Sequence, residues 1–205
     1  MSSHAFDGAR TRIVRRASDA FISHGFSDLT MSQLAGLCGL TRRALYHHFS
    51  SKEDVFRAAI RLNNVQAFEE ADAAARTALG EGGDALEVIF RWLDIRFGNL
   101  RRKVAASPFA RELNETAFRV AGDIMVEVSL DTSHRLAELI QELCGRGLLT
   151  LRPGVTVEKT ARLIADAARG VNMARPPIPV SQIAQHYRDI AEALLFGCAV
   201  KAVSD

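Results

Sequence analysis

Cysteine is scarce in this chain of 205 residues. Cys38, Cys144 and Cys198 are odd in number, widely separated and set among apolar neighbours. That pattern argues against a disulfide framework and offers no metal-ligand spacing, so reduced, buried thiols are expected. Only five prolines and no low-complexity tract are present, which argues against a disordered tail. No apolar run is long enough to span a bilayer. The N-terminal MSSHAFDGARTRIVRR carries charges where a signal peptide needs its apolar stretch. A soluble, cytoplasmic protein without a membrane partner is expected. Catalytic signatures are lacking as well: there is no G-x-S-x-G, no H-E-x-x-H, no phosphate loop and no pair of carboxylates in an apolar setting. The expectation is a protein that is not an enzyme and needs no cofactor.

Apolar residues, by contrast, make up 48% of the chain, ample for a packed core in one or two domains. Their spacing is helical throughout, with no alternating strand pattern, so an all-α fold is predicted. Ile13, Val14, Ala17 and Phe21 share one face of a first helix, which Gly25 is suited to end. Thr30 and Gln33 have capping-box spacing at the start of a second helix, and Leu29 and Leu34 are placed to staple it. Gly39 interrupts that helix after Cys38. Thr41 can cap a third, TRRALYHH, and Ser50 or Ser51 a fourth, which runs to about residue 79 before GEGG. A fifth helix opens at Asp84 and carries Phe90, Leu93 and Phe97. Ser107-Pro108 opens another segment, with a break expected between Glu115 and Asp123. Two more helices are predicted, from about Thr156 to Met173 and from about Ser181 to Val200.

Charge is unevenly divided. Residues 1–61 hold nine Lys/Arg against five acids, a balance of +4, and four of the six histidines; the remainder balances at −2. An N-terminal module for a polyanion would show such asymmetry. The stretch LTRRALYHHFSSKED, residues 40–54, concentrates it. Taken alone, this is as well explained by a solvated helix end. Two short helices separated by the glycine turn CGLT weigh against that, because the spacing is that of a helix-turn-helix. Ala35, Leu40 and Leu45 supply the small and apolar packing positions. An arginine at the start of the second helix can grip guanine O6 and N7, or a phosphate. His47 and His48 are adjacent, point about 100° apart on a helix and have no partner at the four-residue zinc spacing, so no metal is expected.

LTMSQLAGLCGLTRRALYHHFSSKEDVF resembles the DNA-binding signature of TetR-family (tetracycline-repressor-like) transcriptional regulators, closely over about residues 10–60. The resemblance implies a three-helix DNA-binding domain over residues 1–55, its motif at about 30–52, and a larger helical ligand-binding and dimerisation domain over 56–205. It places Thr41, Arg42, Arg43 and Ala44 at the base-reading end of the recognition helix. It places Thr30, Tyr46, His47, His48 and Lys52 on DNA phosphates. Arg43 stands where the family often has glycine, so this chain's base preference departs from the pattern.

The second region offers an apolar reservoir that the resemblance turns into a ligand cavity, with Phe90, Leu93, Phe97, Phe118 and Met125 as lining and Asn172 as an orienting polar group. Most such residues are plain core elsewhere. The run Arg101-Arg102-Lys103 is expected to be a solvated helix end. The last two helices are apolar over wide faces that must be buried, in the core or against another subunit. Ile164, Ala168, Ile183, Tyr187, Ile190 and Leu194 are the candidate dimer interface. The expected function is a homodimeric repressor on a palindromic operator in double-stranded DNA, released by a small-molecule effector. The alternative is a DNA-bound helical adaptor governed by a protein partner.

Overall fold

A computed structural model describes residues 8–197. Among the described residues there are nine α-helices and no strand: α1 Gly8–His24, α2 Met31–Leu37, α3 Arg42–His48, α4 Lys52–Gly80, α5 Ala85–Leu93, α6 Asn99–Ala105, α7 Ala110–Gly145, α8 Val157–Met173 and α9 Ile183–Phe196. The all-α expectation holds, and the second, third and fourth helices start where their caps predict. Thr30 Oγ1 accepts the Gln33 N–H while the Gln33 side-chain oxygen accepts the Thr30 N–H. Leu29 and Leu34 are both buried behind that box. Thr41 Oγ1 accepts the Ala44 N–H at 3.1 Å, and Ser51 Oγ accepts the Asp54 N–H at 3.1 Å.

Two elements differ from the sequence expectation. The break expected between Glu115 and Asp123 is a kink inside one continuous helix, at Ala121 with φ −131° and ψ 31°. Arg57 Nη1 donates to the Val120 carbonyl at 2.7 Å beside this point, and a side chain inserted into the helical hydrogen-bond ladder bends it. Between α5 and α6, Asp94–Gly98 forms a single π-helical turn, so no gap separates the two. The last helix ends at Phe196; Cys198 lies outside the described residues.

The chain divides into two compact units. The first contains residues up to Gln66 together with Lys103–Glu127; the second contains Ala67–Arg102 and the chain from Val128 onward. The structural division therefore does not fall at residues 55/56. It falls inside α4, α6 and α7, and the first unit takes the end of α6 and the start of α7 as well. The reason is apolar: Leu113 is buried with Val14, Phe21, Phe26, Leu34, Leu45 and Phe56, and Phe109, Ala117 and Val120 pack on that core. The second unit has its own core, in which Trp92, Leu93, Leu136, Ile140, Leu143, Ile164 and Tyr187 are almost wholly buried. No helix among the described residues is long and apolar enough to cross a membrane.

Candidate nucleic-acid interface

The turn between α2 and α3 is built by Gly39. Its φ of +73° is a conformation that side chains disfavour. The Leu40 N–H reaches the Ala35 carbonyl at 2.8 Å and the Gly39 N–H reaches Gly36 at 3.0 Å, a Schellman closure of α2. Arg16 of α1 donates to the Cys38 carbonyl at 3.0 Å over the same turn, and a Cβ on Gly39 would meet that guanidinium at 2.7 Å. Cys38 is buried there, its thiol 3.7 Å from the Ile13 carbonyl, and burial raises its pKa despite Arg16 nearby. Leu45 and Phe49 anchor α3 in the core.

What α3 turns outward is the predicted reading surface. Thr41, Arg42, Arg43, Tyr46 and His47 are exposed; Ala44 and His48 are half-buried. Thr41, Arg43, Ala44, Tyr46, His47 and His48 line an open depression of about 580 Å³. Arg42 lies over the Tyr46 ring at 5.4 Å, a contact that limits the freedom of both side chains. Thr30, exposed at the start of α2, has its hydroxyl within 2.7 Å of Gln33 Oε1.

Lys52 is engaged within the first unit. Its ammonium donates to the carbonyls of Phe26 at 2.6 Å, Leu29 at 2.6 Å and Ser27 at 3.3 Å, and sits 4.4 Å from the Phe26 ring centre. An ammonium has three protons, and all three have partners inside the unit. The charge division needs a correction. Arg57 pairs with Asp123 at 2.6 Å and Arg61 with Glu127 at 2.7 Å, both acids lying outside residues 1–61. Counted over the compact unit, twelve bases face nine acids, a balance of +3, and Arg42 and Arg43 carry the positive charge of the α3 surface. Among the described residues no cluster of His, Cys, Asp or Glu could hold a metal ion.

The model of bacterial regulatory proteins of the tetR family matches residues 13–59, the span of this helix pair and its two supporting helices. Residues 13–59 are a segment of the TetR-family type. The HTH-type transcriptional regulator SrpR of Pseudomonas putida is 41% identical to this chain over 51 residues, 25% of this chain and 24% of SrpR. The matched segment thus spans about a quarter of that relative. Over nearly the whole chain the fold is similar to a transcriptional regulator from Cytophaga hutchinsonii, with a TM-score of 0.72 and 20% identity, covering 92% of this chain and 97% of that one. It is also similar to FadR of Thermus thermophilus, whose structure is described as a complex with lauroyl-CoA, with a TM-score of 0.62 and 20% identity over 96% of this chain and 98% of that one.

Outside the TetR-family DNA-binding segment, the structure redistributes the predicted residues. Phe118, half-exposed at 50%, and Met125 belong to the first unit; Phe90, Leu93, Phe97 and Asn172 belong to the second. Leu93 and Phe97 are packed core. Asn172 Oδ1 accepts the Tyr187 hydroxyl at 3.0 Å and an Arg101 N–H at 3.3 Å. The cleft found in the second unit measures about 470 Å³ and has other walls, among them Asp72, Arg76, Leu79, Trp92, Arg135 and Glu138. Arg101 and Arg102 are not a solvated end: Arg101 donates to the carbonyls of Val171 and Ile178, and Arg102 pairs with Asp94.

The candidate dimer residues are corrected too. Ile164, Ala168, Ile183 and Tyr187 are wholly buried in the second unit's own core, and Ile190 packs against it; only Leu194 is exposed, at 38%. Burial, with Asn172 and Arg101 opposing it, pushes the Tyr187 phenol up to about 12. Sequence reasoning missed Arg96. It lies buried in the π turn, its guanidinium 4.2 Å from the Phe68 ring centre, and desolvation together with Arg135 and Arg169 lowers it to about 10. It also missed Glu112, whose carboxylate accepts the N–H groups of Phe26 at 3.1 Å and Ser27 at 2.7 Å. The first signal is weak in sequence, since one arginine among aromatics looks like any surface cation; the second has none, because its partners stand 86 and 85 positions away.

Proposed function

We propose that this protein is a sequence-specific DNA-binding transcriptional regulator of the TetR family, a repressor that holds a palindromic operator as a homodimer and leaves it when a small molecule binds. The observation that carries the reading is the exposed α3 surface, two adjacent arginines at the start of a helix that is braced from behind by Leu45, Phe49 and the Schellman turn. Arg42 and Arg43 read base edges, with Thr41 and Ala44 beside them. Thr30, Tyr46, His47 and His48 set the register on phosphates. The names of the matched relatives support the regulatory role. The small-molecule part rests on the 470 Å³ cleft of the second unit, a volume in the range of ligand sites, roughly 300–1,000 Å³. Release follows from linkage: an effector that prefers the state in which the two recognition helices are mis-spaced lowers operator affinity by its differential affinity for the two states. Exposed Leu163 and Met173 on α8 and Leu194 and Phe196 on α9 are apolar groups left for a partner subunit.

Selection of bound duplexes from a random pool tests the reading in one step. Two inverted half-sites, their centres about 34–36 Å apart or a multiple of that, are expected. A pool that yields no enriched sequence sinks the DNA-binding reading, and an unrepeated site sinks the dimeric form of it.

A further inference from the structure

The cleft of about 470 Å³ in the second unit is walled by α4 and α7, with Trp92 of α5 beside them. Its apolar part comes from Ala75, Leu79 and Leu139. Its charged side chains are even in number, with Arg76, Arg135 and Arg146 against Asp72, Glu138 and Glu142. A count therefore leaves the sign of a ligand open, and pairing decides it. Glu142 pairs with Arg146 at 2.7 Å, and Glu138 stands 3.7 Å from His134. Asp72 is engaged twice: one oxygen accepts the Trp92 indole N–H at 2.9 Å, and the other accepts an N–H of Arg135. The indole fixes the carboxylate, and the carboxylate aims the guanidinium. Arg135 Nε and Nη2 have no acceptor among the described residues. Neither has Arg76, which is exposed on α4 one turn after Asp72. Guanidinium donors left over in this way suit a planar oxyanion.

The layer behind this wall has the same sign. The Arg135 guanidinium lies 4.7 Å from the centre of the Phe68 ring, and that of Arg96 lies 4.2 Å from the same centre. Arg96 is buried in the π turn and donates to Thr132 Oγ1 at 3.4 Å. Arg169 of α8 keeps a buried Nη1 that makes no hydrogen bond among the described residues. Burial lowers the Arg96 guanidinium, and the charges of Arg135 and Arg169 lower it further. The acids nearby are Asp131 and Asp166, the latter paired with Arg169. Both are exposed, so water screens them, whereas a buried charge is screened much less. The field at the Arg135 wall is therefore positive. We propose that this cleft takes an organic monoanion: a carboxylate bound by Arg135 and Arg76, on a compact apolar body that rests on Ala75, Leu79 and Leu139. A carboxylate is the match because Arg135 already holds one, that of Asp72. This names the chemical class of the effector, and it rests on the effector reading above for its consequence, the release of DNA.

The experiment titrates the full-length protein with the bridgehead adamantane carboxylate, alcohol and ammonium. These probes share one compact apolar body that does not absorb with tryptophan, and they differ in charge. Trp92, the chain's only tryptophan, reports binding by its fluorescence. Operator occupancy is read in parallel on the duplex enriched from a random pool. The carboxylate is expected to bind about tenfold more tightly than the alcohol, the equivalent of one net charge-assisted hydrogen bond, and the ammonium more weakly than either. Arg135→Gln and Arg76→Gln are each expected to cut carboxylate binding by about tenfold and to leave alcohol binding unchanged. A misfolded variant loses both and is told apart; Arg76 is exposed, so its variant keeps the core. Arg135→Lys keeps the charge without the fork and should fall between. Equal binding of carboxylate and alcohol, tighter binding of the ammonium, unaltered carboxylate binding in both glutamine variants, or a Trp92 signal that no probe moves overturns the proposal. Carboxylate binding that leaves operator occupancy unchanged keeps this site and overturns the effector reading. Operator release by the alcohol or the ammonium alone keeps that reading and overturns this proposal.

Discussion

Single residues decide what α3 can read. Arg42 and Arg43 are exposed at its start, and Arg42 lies over Tyr46. A bidentate arginine on guanine discriminates by about 1–3 kcal/mol. Arg43→Ala is expected to lose that much preference for one base pair in each half-site, measured as the affinity ratio between the enriched duplex and a duplex mutated at that pair. Equal ratios in variant and wild type would remove Arg43 from the reading set. This surface was readable in the sequence because its signals are local: caps, a glycine turn and charges lie within one short span. Lys52 shows what the same local reading leaves out. Its position in the chain is right for a phosphate, but its direction is set by three carbonyls over twenty residues earlier, and no short-range pattern encodes that.

Elements are placed by contacts between segments far apart in sequence. The turn after α1 was predicted from Gly25 alone, whereas its second constraint comes from Phe109 and Glu112. With φ at +76° and a Cβ clash on two side chains, Gly25→Ala is expected to destabilise by more than the roughly 1–2 kcal/mol of the left-handed conformation itself. Denaturant unfolding measures it; a loss under about 0.5 kcal/mol would mean that the start of α7 moves aside freely. The kinked α7 is tied to α4 within the first unit through Arg57 and Asp123. Hydrogen bonding from Arg57, with its charge, holds the Asp123 carboxyl far below the usual carboxylate range. A carboxyl depressed on folding stabilises above its unfolded value, near pH 4, and loses that contribution as pH falls toward the depressed one. Wild type is therefore expected to lose stability more steeply than Asp123→Asn between about pH 4 and pH 2, with the two curves parallel above pH 5. Parallel curves throughout would show that the pair is fully screened by solvent.

At the scale of the whole molecule, the question is which apolar surface remains for a second copy. Helical periodicity correctly picked the most apolar faces of α8 and α9, but such a pattern only says that a face is buried, not by what. The second unit's own core takes Ile164, Ala168, Ile183 and Tyr187, so substitutions there test folding rather than assembly. Tyr187→Ala removes a wholly buried ring and its bond to Asn172, and a loss of about 3–5 kcal/mol of unfolding free energy is expected. Leu163 at 48% and Leu194 at 38% exposure are the opposite case. Exposed in one chain, they contribute little to its core, yet a carboxylate buried against an apolar partner carries a large desolvation cost. Leu163→Asp with Leu194→Asp is expected to halve the mass in sedimentation while the helical circular dichroism of the chain persists. Affinity for a two-half-site duplex should then fall toward that for a single half-site, because the second recognition helix is no longer delivered with the first. An unchanged mass would place the subunit contact on a surface other than α8 and α9.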